Sequence, residues 1–369
     1  MSEAFHFSPR PNRAHEIRWN VWGSEAFAQA QAEDKPILLS LSAVWCHWCH
    51  VMDETTYSTP AVIAAINEHF VPIRVDNDRR PDINARYNMG GWPTTAFLMP
   101  GGETITGATY VPPEQMEPLL ERVIAFYCEH KGEIRERLAA EPVRIPAAIA
   151  KDAALSEDIV EHVVDAAIEL YDPAYGGFGT APKFPMTEAL ELLLTHWQRT
   201  REPRLRTMIE KTLYGMADHG MYDHEEGGWF RYSTDREWRV PHFEKMGEDH
   251  AGLLRVNARY ACATGDAHLR ERVTSAVNWL MRTLYDDERG LFGGSQDADE
   301  HYYTKPLEER RAMAAPYVDR TSYTNWTAAL AGALFEAGAL LEDATLARRA
   351  IRTLDVLWER MHDQRRGLL

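Results

Sequence analysis

Residues 37–50 read Ile-Leu-Leu-Ser-Leu-Ser-Ala-Val-Trp-Cys-His-Trp-Cys-His and join an apolar run to a Cys-x-x-Cys pair. The run from Ile37 to Leu41 predicts a buried strand, and a helix is expected to begin near Cys46. Unpaired N–H groups and partial positive charge at a helix N-terminus favour a thiolate over a thiol. The stretch is therefore typical of a dithiol redox site, with Cys46 and Cys49 as its catalytic residues.

In this interpretation Cys46 attacks a disulfide from the exposed start of the helix, and Cys49 is the less accessible resolving thiol. His47 and His50 would supply positive charge that stabilises the Cys46 thiolate. Two alternatives stay open. Cys-x-x-Cys-His is also the attachment signature of c-type haem, and Cys46, Cys49 and His50 share a helix face where zinc would need a fourth ligand, such as His47. We favour the dithiol, for which no metal or other cofactor is expected.

A second motif points to the same chemistry. Gly90-Gly91-Trp92-Pro93 directly precedes a run from Thr94 to Met99 that predicts a strand. Thioredoxin-like folds place a cis-proline before such a strand, facing the dithiol, and cis peptide bonds are nearly confined to X–Pro. We therefore expect a cis bond between Trp92 and Pro93. The residues predicted to support the redox site are Trp45, His47, Trp48, His50, Trp92 and Pro93.

Composition narrows the classes of partner. The 369 residues favour two domains, and 40 Lys plus Arg against 56 Asp plus Glu give a formal net charge of −16. Because phosphates are bound by clustered positive charge, this balance argues against nucleic acid or a membrane as partner. No signal peptide is visible and only four cysteines occur, so we expect a reducing, cytoplasmic compartment. Cys128 and Cys262, on predicted helices, are expected to be core or half-buried thiols.

The predicted secondary structure changes from mixed α/β to all-α near residue 140. Helices predicted at 24–34 (with Ser24 as N-cap), 60–70 and 113–138 alternate with strands at 71–75, 94–99 and 103–108, and a loop is predicted at 76–82. Residues 1–140 are therefore assigned to an α/β domain, followed by a linker at 141–146. Beyond the linker, helical spacing of apolar residues predicts about seven helices, so 141–369 is assigned to an all-α domain.

The second domain carries an internal repeat. Tyr171-Asp172 followed by Gly176-Gly177-Phe178 recurs from Tyr222, from Tyr285 and, in degenerate form, from His362. Each copy follows a predicted helix, and its glycine permits a turn conformation that a side chain resists. Helix pairs joined by such turns predict a helical toroid or solenoid.

Several longer motifs together resemble one known family. They are Trp19 to Gly23, Glu33 to Ile37, Cys46 to Met52, Arg80 to Asp82, Gly90 to Pro93, Thr109 to Pro112, Gly176 to Pro185, Val240 to Met246 and Gln296 to Asp299. In these segments the chain resembles the spermatogenesis-associated protein 20 family. The resemblance implies a thioredoxin-like N-terminal domain followed by an α/α toroid similar to six-hairpin glycosidases.

Some features depart from the pattern that the resemblance implies. Ser40 stands six residues before Cys46, where thioredoxin has a buried Asp that assists proton transfer, and Trp48 replaces a proline common between the two cysteines of thioredoxin. Members of the family are longer than this chain, so we expect the ring of helices to be incomplete. The redox potential is therefore not predictable from the family.

The resemblance also suggests a sugar site, because toroids of this type bind or process sugars with carboxylates at the mouth of the ring. The candidates are His242, Glu244, Asp297, Asp299 and Trp229, with Asp172, Asp223 and Trp238 as further candidates. For the repeated Asp172, Asp223 and Asp286 the alternative is turn chemistry, in which an Asp binds its local backbone. For His242, Glu244 and Lys245 the alternative is a structural polar cluster.

Two functions follow from these motifs. The first hypothesis is a thiol–disulfide oxidoreductase that acts on protein or small-molecule disulfides through Cys46 and Cys49. The alternative is a carbohydrate-binding or sugar-processing toroid whose thioredoxin-like domain serves as redox sensor or adaptor. The expected partners are a disulfide substrate and, for the alternative, a sugar ligand in the toroid.

Overall fold

The computed structural model describes residues 5–140, 158–365 and 367–368. The chain divides into two compact units, Met1–Lys151 and Asp152–Leu369. The predicted linker at 141–146, and with it the predicted start of the second domain, lies outside the described residues. We describe the two units separately.

Unit 1 is a four-stranded sheet with helices on both faces. Its elements in chain order are α1 (Ser24–Glu33), β1 (Ile37–Ser42), α2 (His47–Glu54), α3 (Pro60–His69), β2 (Val71–Asp76), α4 (Pro81–Tyr87), β3 (Thr94–Leu98), β4 (Thr104–Ala108) and α5 (Pro113–Ala140). The strand order is β2-β1-β3-β4, in which β1 runs parallel to β2 and antiparallel to β3. This is the thioredoxin-like arrangement that the sequence predicts.

The central strand is buried on both faces, which explains its nearly continuous apolar sequence. Leu39 and Leu41 pack on one side of the sheet, in a cluster with Ile73 of β2, whereas Leu38 packs on the other side with Met52 of α2. A strand covered on both faces shows no alternation of apolar and polar residues. The segment that leads to Cys46 therefore starts from a strand that is packed on both faces.

Three expectations for unit 1 are wrong in detail. Helix α1 begins at Ser24, and its N-cap is Gly23, so Ser24 does not cap it. The predicted loop at 76–82 ends at Arg80, because Pro81 occupies the first turn of helix α4, where a proline loses no hydrogen bond. Cys128 is exposed because it lies beside, and not on, the buried stripe of α5 that includes Tyr127.

Unit 2 contains seven helices of thirteen residues or more among its described residues. They are α6 (Asp158–Leu170), α7 (Thr187–Thr200), α8 (Pro203–Asp218), α9 (Gly247–Thr264), α10 (Ala267–Thr283), α13 (Thr324–Leu341) and α14 (Ala344–Met361), with the short helices α11 (Glu300–Tyr303) and α12 (Leu307–Arg310) between them. Helix α9 packs against both α7 and α13, while α8, α10 and α14 pack beside these three. This succession of hairpins is the toroid-like order that the sequence predicts.

The loops of unit 2 hold short strands that the sequence does not predict. They are β5 (Tyr232–Ser233), β6 (Pro241–His242), β7 (Lys245–Met246), β8 (Tyr285–Asp286), β9 (Leu291–Phe292), β10 (Ser295–Gln296), β11 (Val318–Asp319), β12 (His362–Asp363) and β13 (Gly367–Leu368). Cys262, near the end of α9, is exposed, so the expectation of a core or half-buried thiol is wrong there too. Within the described ranges, no helix is long and apolar enough to cross a bilayer.

The first three repeat copies are turns of one kind, and the fourth, from His362, is one residue shorter. Their first residues pair across the turn, as Tyr171 does with Phe178 and Tyr285 with Phe292. The shared glycine is in the left-handed region in each copy, with φ of 71° at Gly176 and 82° at Gly367. A side chain at that position would be strained, which is why the glycine recurs.

Candidate active site

Cys46 and Cys49 form a disulfide at the start of α2. Cys46 is the N-cap residue of the helix, and its sulfur accepts a hydrogen bond of 3.1 Å from the backbone N–H of Cys49. That N–H is one of the donors that a helix N-terminus leaves unpaired. On reduction, the same N–H and the helix dipole would stabilise a thiolate on Cys46 in preference to one on Cys49.

The two cysteines do not differ in exposure as the sequence predicts. Cys46 is 3% exposed and Cys49 is 2% exposed, so the expectation of an exposed Cys46 is wrong for the disulfide form. Aromatic rings surround the motif: Trp45 packs edge-to-face on Trp92 with ring centroids 5.4 Å apart. Trp48, in contrast, is 41% exposed. These rings therefore restrict the directions from which a disulfide substrate can approach the Cys46 sulfur.

The two histidines of the motif have different surroundings. The ring of His50 is buried, and its Nε2 lies 2.9 Å from the carbonyl oxygen of Val44. A neutral imidazole with the proton on Nε2 satisfies this bond. His47 is half-buried and packs edge-to-face on Trp48. His50 therefore holds the chain that enters the motif, while the role predicted for both rings in stabilising the Cys46 thiolate stays a prediction.

The peptide bond between Trp92 and Pro93 is cis, as the sequence predicts. The loop before it is ordered by its own side chains, because Asn88 Oδ1 accepts hydrogen bonds from the backbone N–H groups of Gly90 and Gly91. Trp92 Nε1 donates to Asn84 Oδ1 of α4 at 3.1 Å. The loop that carries the cis-proline is therefore anchored to α4, the helix that the sequence does not predict.

A buried ion pair lies on the face of the sheet that α2 covers. Asp53 of α2 accepts two hydrogen bonds of 2.8 and 2.9 Å from the guanidinium of Arg74 on β2, and both side chains are almost completely buried. Ser42 Oγ accepts a third hydrogen bond from Arg74, and the backbone N–H of Ser8 donates to Asp53. A lone arginine in the apolar run of β2 is the sequence signal for this pair, since a buried charge needs a partner.

Ser40 belongs to a row of polar residues across three strands. It lies opposite Arg74 of β2 and Thr95 of β3 in the register of the sheet. Tyr57 covers this row, with its hydroxyl 3.3 Å from Thr95 Oγ1 and in a hydrogen bond with Ser40. Burial raises the pKa of Tyr57, although both hydrogen bonds oppose that shift. The position that thioredoxin fills with a carboxylate is thus occupied here by a neutral serine and tyrosine.

In unit 2 the repeated aspartates form turns and also bind buried lysines. Asp172 Oδ1 accepts the backbone N–H of Ala174, and its Oδ2 lies 2.7 Å from Nζ of Lys183. Asp223 binds Lys245 at 2.7 Å in the same way. Both lysines are fully buried. The turn chemistry predicted as the alternative is present. The sequence does not predict that the two lysines bind the turn aspartates.

Four of the predicted sugar-site residues are either buried in the core or hydrogen-bonded to the local backbone. Trp229 and Trp238 are completely buried in the helical core, so neither ring has a free face for a ligand and the predicted stacking role is wrong for both. Asp299 caps α11 by accepting the N–H of Tyr302 at 2.9 Å. Asp297 is buried and accepts the N–H of Ala298. Their sequence spacing could not reveal this, because burial depends on how the helices pack.

The pairing of β5 with β6 places His242 opposite Tyr232, and Glu244 lies against Arg231. Glu244 is fully buried and lies 2.9 Å from the guanidinium of Arg231, while His242 Nε2 lies 3.8 Å from the same carboxylate. The ring of His242 stacks on Tyr232 with centroids 5.0 Å apart. Asp249 lies nearby, and burial raises its pKa to about 7, although the charge of Arg231 acts against that shift. The predicted residues His242 and Glu244 therefore lie together in one polar cluster of the unit 2 loops.

Within the described ranges, no group of three or more His, Cys, Asp or Glu side chains has a geometry that could hold a metal ion. The set proposed for zinc, Cys46, Cys49 and His50, is not assembled here. The two sulfurs are joined to each other, and Nε2 of His50 is engaged with a backbone carbonyl.

Comparison with known proteins places these observations in a family. Residues 10–142 match the family model Thioredox_DsbH, described as a protein of unknown function, DUF255. Spermatogenesis-associated protein 20 of Mus musculus is 34% identical over 307 residues, which cover 77% of this chain and 39% of that protein. The chain is a relative of spermatogenesis-associated protein 20. An uncharacterised protein of Caenorhabditis elegans is 33% identical over 304 residues, which cover 77% of this chain and 41% of that protein.

The family resemblance predicted from the motifs is therefore confirmed, and the chain spans about two fifths of the length of the curated relatives that it matches. Among solved structures, a cellobiose 2-epimerase from Bacillus thermoamylovorans aligns with a TM-score of 0.45 and 12% identity, over 56% of each chain.

Proposed function

We propose that this protein is a thiol–disulfide oxidoreductase that uses Cys46 and Cys49, in a reducing compartment such as the cytoplasm, on disulfide substrates. The observation that carries the proposal is the position of Cys46 as N-cap of α2, where its sulfur accepts the N–H of Cys49. In the reduced protein that position favours the thiolate that attacks a disulfide. The thioredoxin-like sheet, in which this motif follows β1, supports the same function.

A redox titration of the cysteine pair tests the proposal. Because Cys128 and Cys262 are exposed, both are first replaced by serine, so that Cys46 and Cys49 are the only thiols. The protein is equilibrated in dithiol–disulfide buffers, alkylated and weighed by mass spectrometry. We expect one two-electron transition at a potential between about −270 and −120 mV, the range of dithiol oxidoreductases. A pair that stays reduced at every potential in the folded protein would overturn the proposal.

A cavity in unit 2 favours a second candidate function, sugar binding by the helical unit. The cavity has a volume of about 250 Å³ and lies at the N-terminal ends of α7, α9 and α13, where Glu188, Glu248, Arg255 and Trp326 line it. Carboxylates beside an aromatic ring suit the hydroxyls and apolar faces of a sugar. Thermal shift with a panel of mono- and disaccharides tests this function: we expect stabilisation by at least one sugar that Glu248→Gln removes. No shift across the panel would contradict it.

A further inference from the structure

A cavity in unit 1 lies against the chain segment that leads into the dithiol motif. It has a volume of about 290 Å³, and its wall includes Ala43 and Val44, the two residues that connect β1 to Trp45 and Cys46. The opposite wall is the end of β2 and the loop after it, with Arg74 and Arg79. The volume suits one end of a small molecule and is too small for a folded segment of a protein.

The lining of this cavity is rich in arginine. Its lining holds the three arginines Arg74, Arg79 and Arg80 and one carboxylate, Asp76. The Asp76 carboxylate accepts the backbone N–H groups of the loop, at 2.9 Å from Asp78 and 3.3 Å from Arg79. The attraction that an anion meets here therefore depends on which of the three arginines already has a carboxylate partner.

The three arginines are not equally available to a ligand. Arg74 is engaged with Asp53, and Arg80 forms an exposed ion pair with Asp82 at 2.7 Å. The side chain of Arg79 is exposed, and within the described part of the chain it makes no ion pair or hydrogen bond. Arg79 is therefore the cation with its full set of donors free for a carboxylate.

The loop that carries Arg79 is fixed to the dithiol motif. Trp45 Nε1 donates a hydrogen bond of 2.8 Å to Asp78 Oδ2, so the residue before Cys46 and the residue before Arg79 are in direct contact. Val44, on the cavity wall, is held by the ring of His50. The loop with Arg79 is therefore tied to the residue that directly precedes Cys46.

We propose that this cavity binds the carboxylate end of a small acidic disulfide and presents its S–S bond to Cys46. The inference rests on the proposed exchange function and names its substrate class. The Cys46 thiolate attacks one sulfur, which forms a mixed disulfide and releases the first half of the substrate as a thiolate. The Cys49 thiolate then attacks the Cys46 sulfur and releases the second half, so that the substrate is reduced by two electrons and the protein pair is oxidised.

Three small dialkyl disulfides that differ in charge test this inference. The prereduced protein, with Cys128 and Cys262 replaced by serine, is mixed with 3,3′-dithiodipropionate (a dianion), bis(2-hydroxyethyl) disulfide (neutral) or cystamine (a dication). Rate constants for oxidation of the pair are measured for each. The ratio of the dianion to the neutral rate constant is the readout, because a change in the reactivity of Cys46 itself alters both rate constants equally.

We expect Arg79→Gln to lower this ratio by about threefold to fivefold, the scale of one exposed ion pair, and to raise the cystamine ratio. Arg79→Lys should restore most of the preference, and a matched control, Arg122→Gln on the exposed face of α5, should leave both ratios unchanged. Added salt should weaken the preference for the dianion. Ratios in Arg79→Gln equal to those of the parent protein would overturn this inference alone. Failure of all three disulfides to oxidise the pair would overturn the proposed function as well.

Discussion

Replacing Cys46 by serine is expected to abolish disulfide exchange, whereas Cys49→Ser leaves a protein that reacts once and stays bound to its substrate. Cys46 is the N-cap of α2 and the better stabilised thiolate, so only its removal prevents the first attack. Cys49 is required only to release the mixed disulfide. The two single variants should therefore fail in different ways, which distinguishes a resolving pair from two independent thiols.

Insulin reduction, followed by turbidity, measures the loss of turnover, and intact-mass spectrometry detects the trapped mixed disulfide. Both use a parent protein in which the exposed Cys128 and Cys262 are serine, since either thiol could supply background exchange. We expect turnover of Cys46→Ser to fall to the rate of buffer with reductant. The Cys49→Ser variant should accumulate an adduct of one substrate half on Cys46. Turnover of Cys46→Ser at the level of the parent protein would show that the reaction does not pass through this sulfur.

The predictable part of unit 1 is the part that depends on local pattern. The strand that begins at Ile37 and the helix that begins after Cys46 follow from apolar runs and local residue chemistry. The cis bond at Pro93 follows from the place that thioredoxin-like folds give to such a proline. The pair of Asp53 with Arg74 joins residues 21 positions apart, and only the packing of α2 on the sheet brings them together. The burial of Cys46 likewise depends on tertiary packing, which the local sequence does not show.

In unit 2 the repeat predicts the turns but not their interior partners. Asp172 and its lysine are 11 residues apart, whereas Asp223 and Lys245 are 22 apart, so the pairs share no sequence spacing. The third copy differs again, since Asp286 accepts the turn bonds and has no lysine partner among the described residues. A pattern search therefore finds the turn aspartates and misses the cations that bind them.

The buried pairs of aspartate and lysine are expected to contribute strongly to the stability of unit 2. Asp223→Asn is expected to lower the free energy of unfolding of unit 2 by about 3 to 5 kcal/mol, the usual cost of removing one partner from a buried ion pair. Asp223 is in contact with the fully buried Lys245 and with Arg310, whose Nη1 lies 2.8 Å from Oδ2. Asparagine can still accept the turn hydrogen bonds at this position, so the variant removes the charge and keeps the turn.

Asp286→Asn is the matched control, because Asp286 accepts the same turn bonds, at 3.0 Å from the N–H groups of Glu288 and Arg289, without a lysine partner in the described chain. We expect it to cost less than about 0.5 kcal/mol. Urea denaturation followed by circular dichroism compares the two variants. If Asp223→Asn does not fold, adding Lys245→Met should recover a folded protein, since it removes the unpaired lysine charge while Arg310 keeps Glu226 as its partner.

The pH dependence of this loss identifies its cause. Burial lowers the pKa of Lys245 to about 8 even though Asp223 attracts the proton, so removing that carboxylate lowers the pKa of Lys245 further. A lysine whose pKa is lower in the folded than in the unfolded protein costs stability as pH falls below its unfolded value of about 10.4. The deficit of Asp223→Asn should therefore be larger at pH 7 than at pH 9.5, where Lys245 can lose its proton. An equal deficit at both values, or one no larger than that of Asp286→Asn, would mean that the turn and not the buried charge pair stabilises this loop.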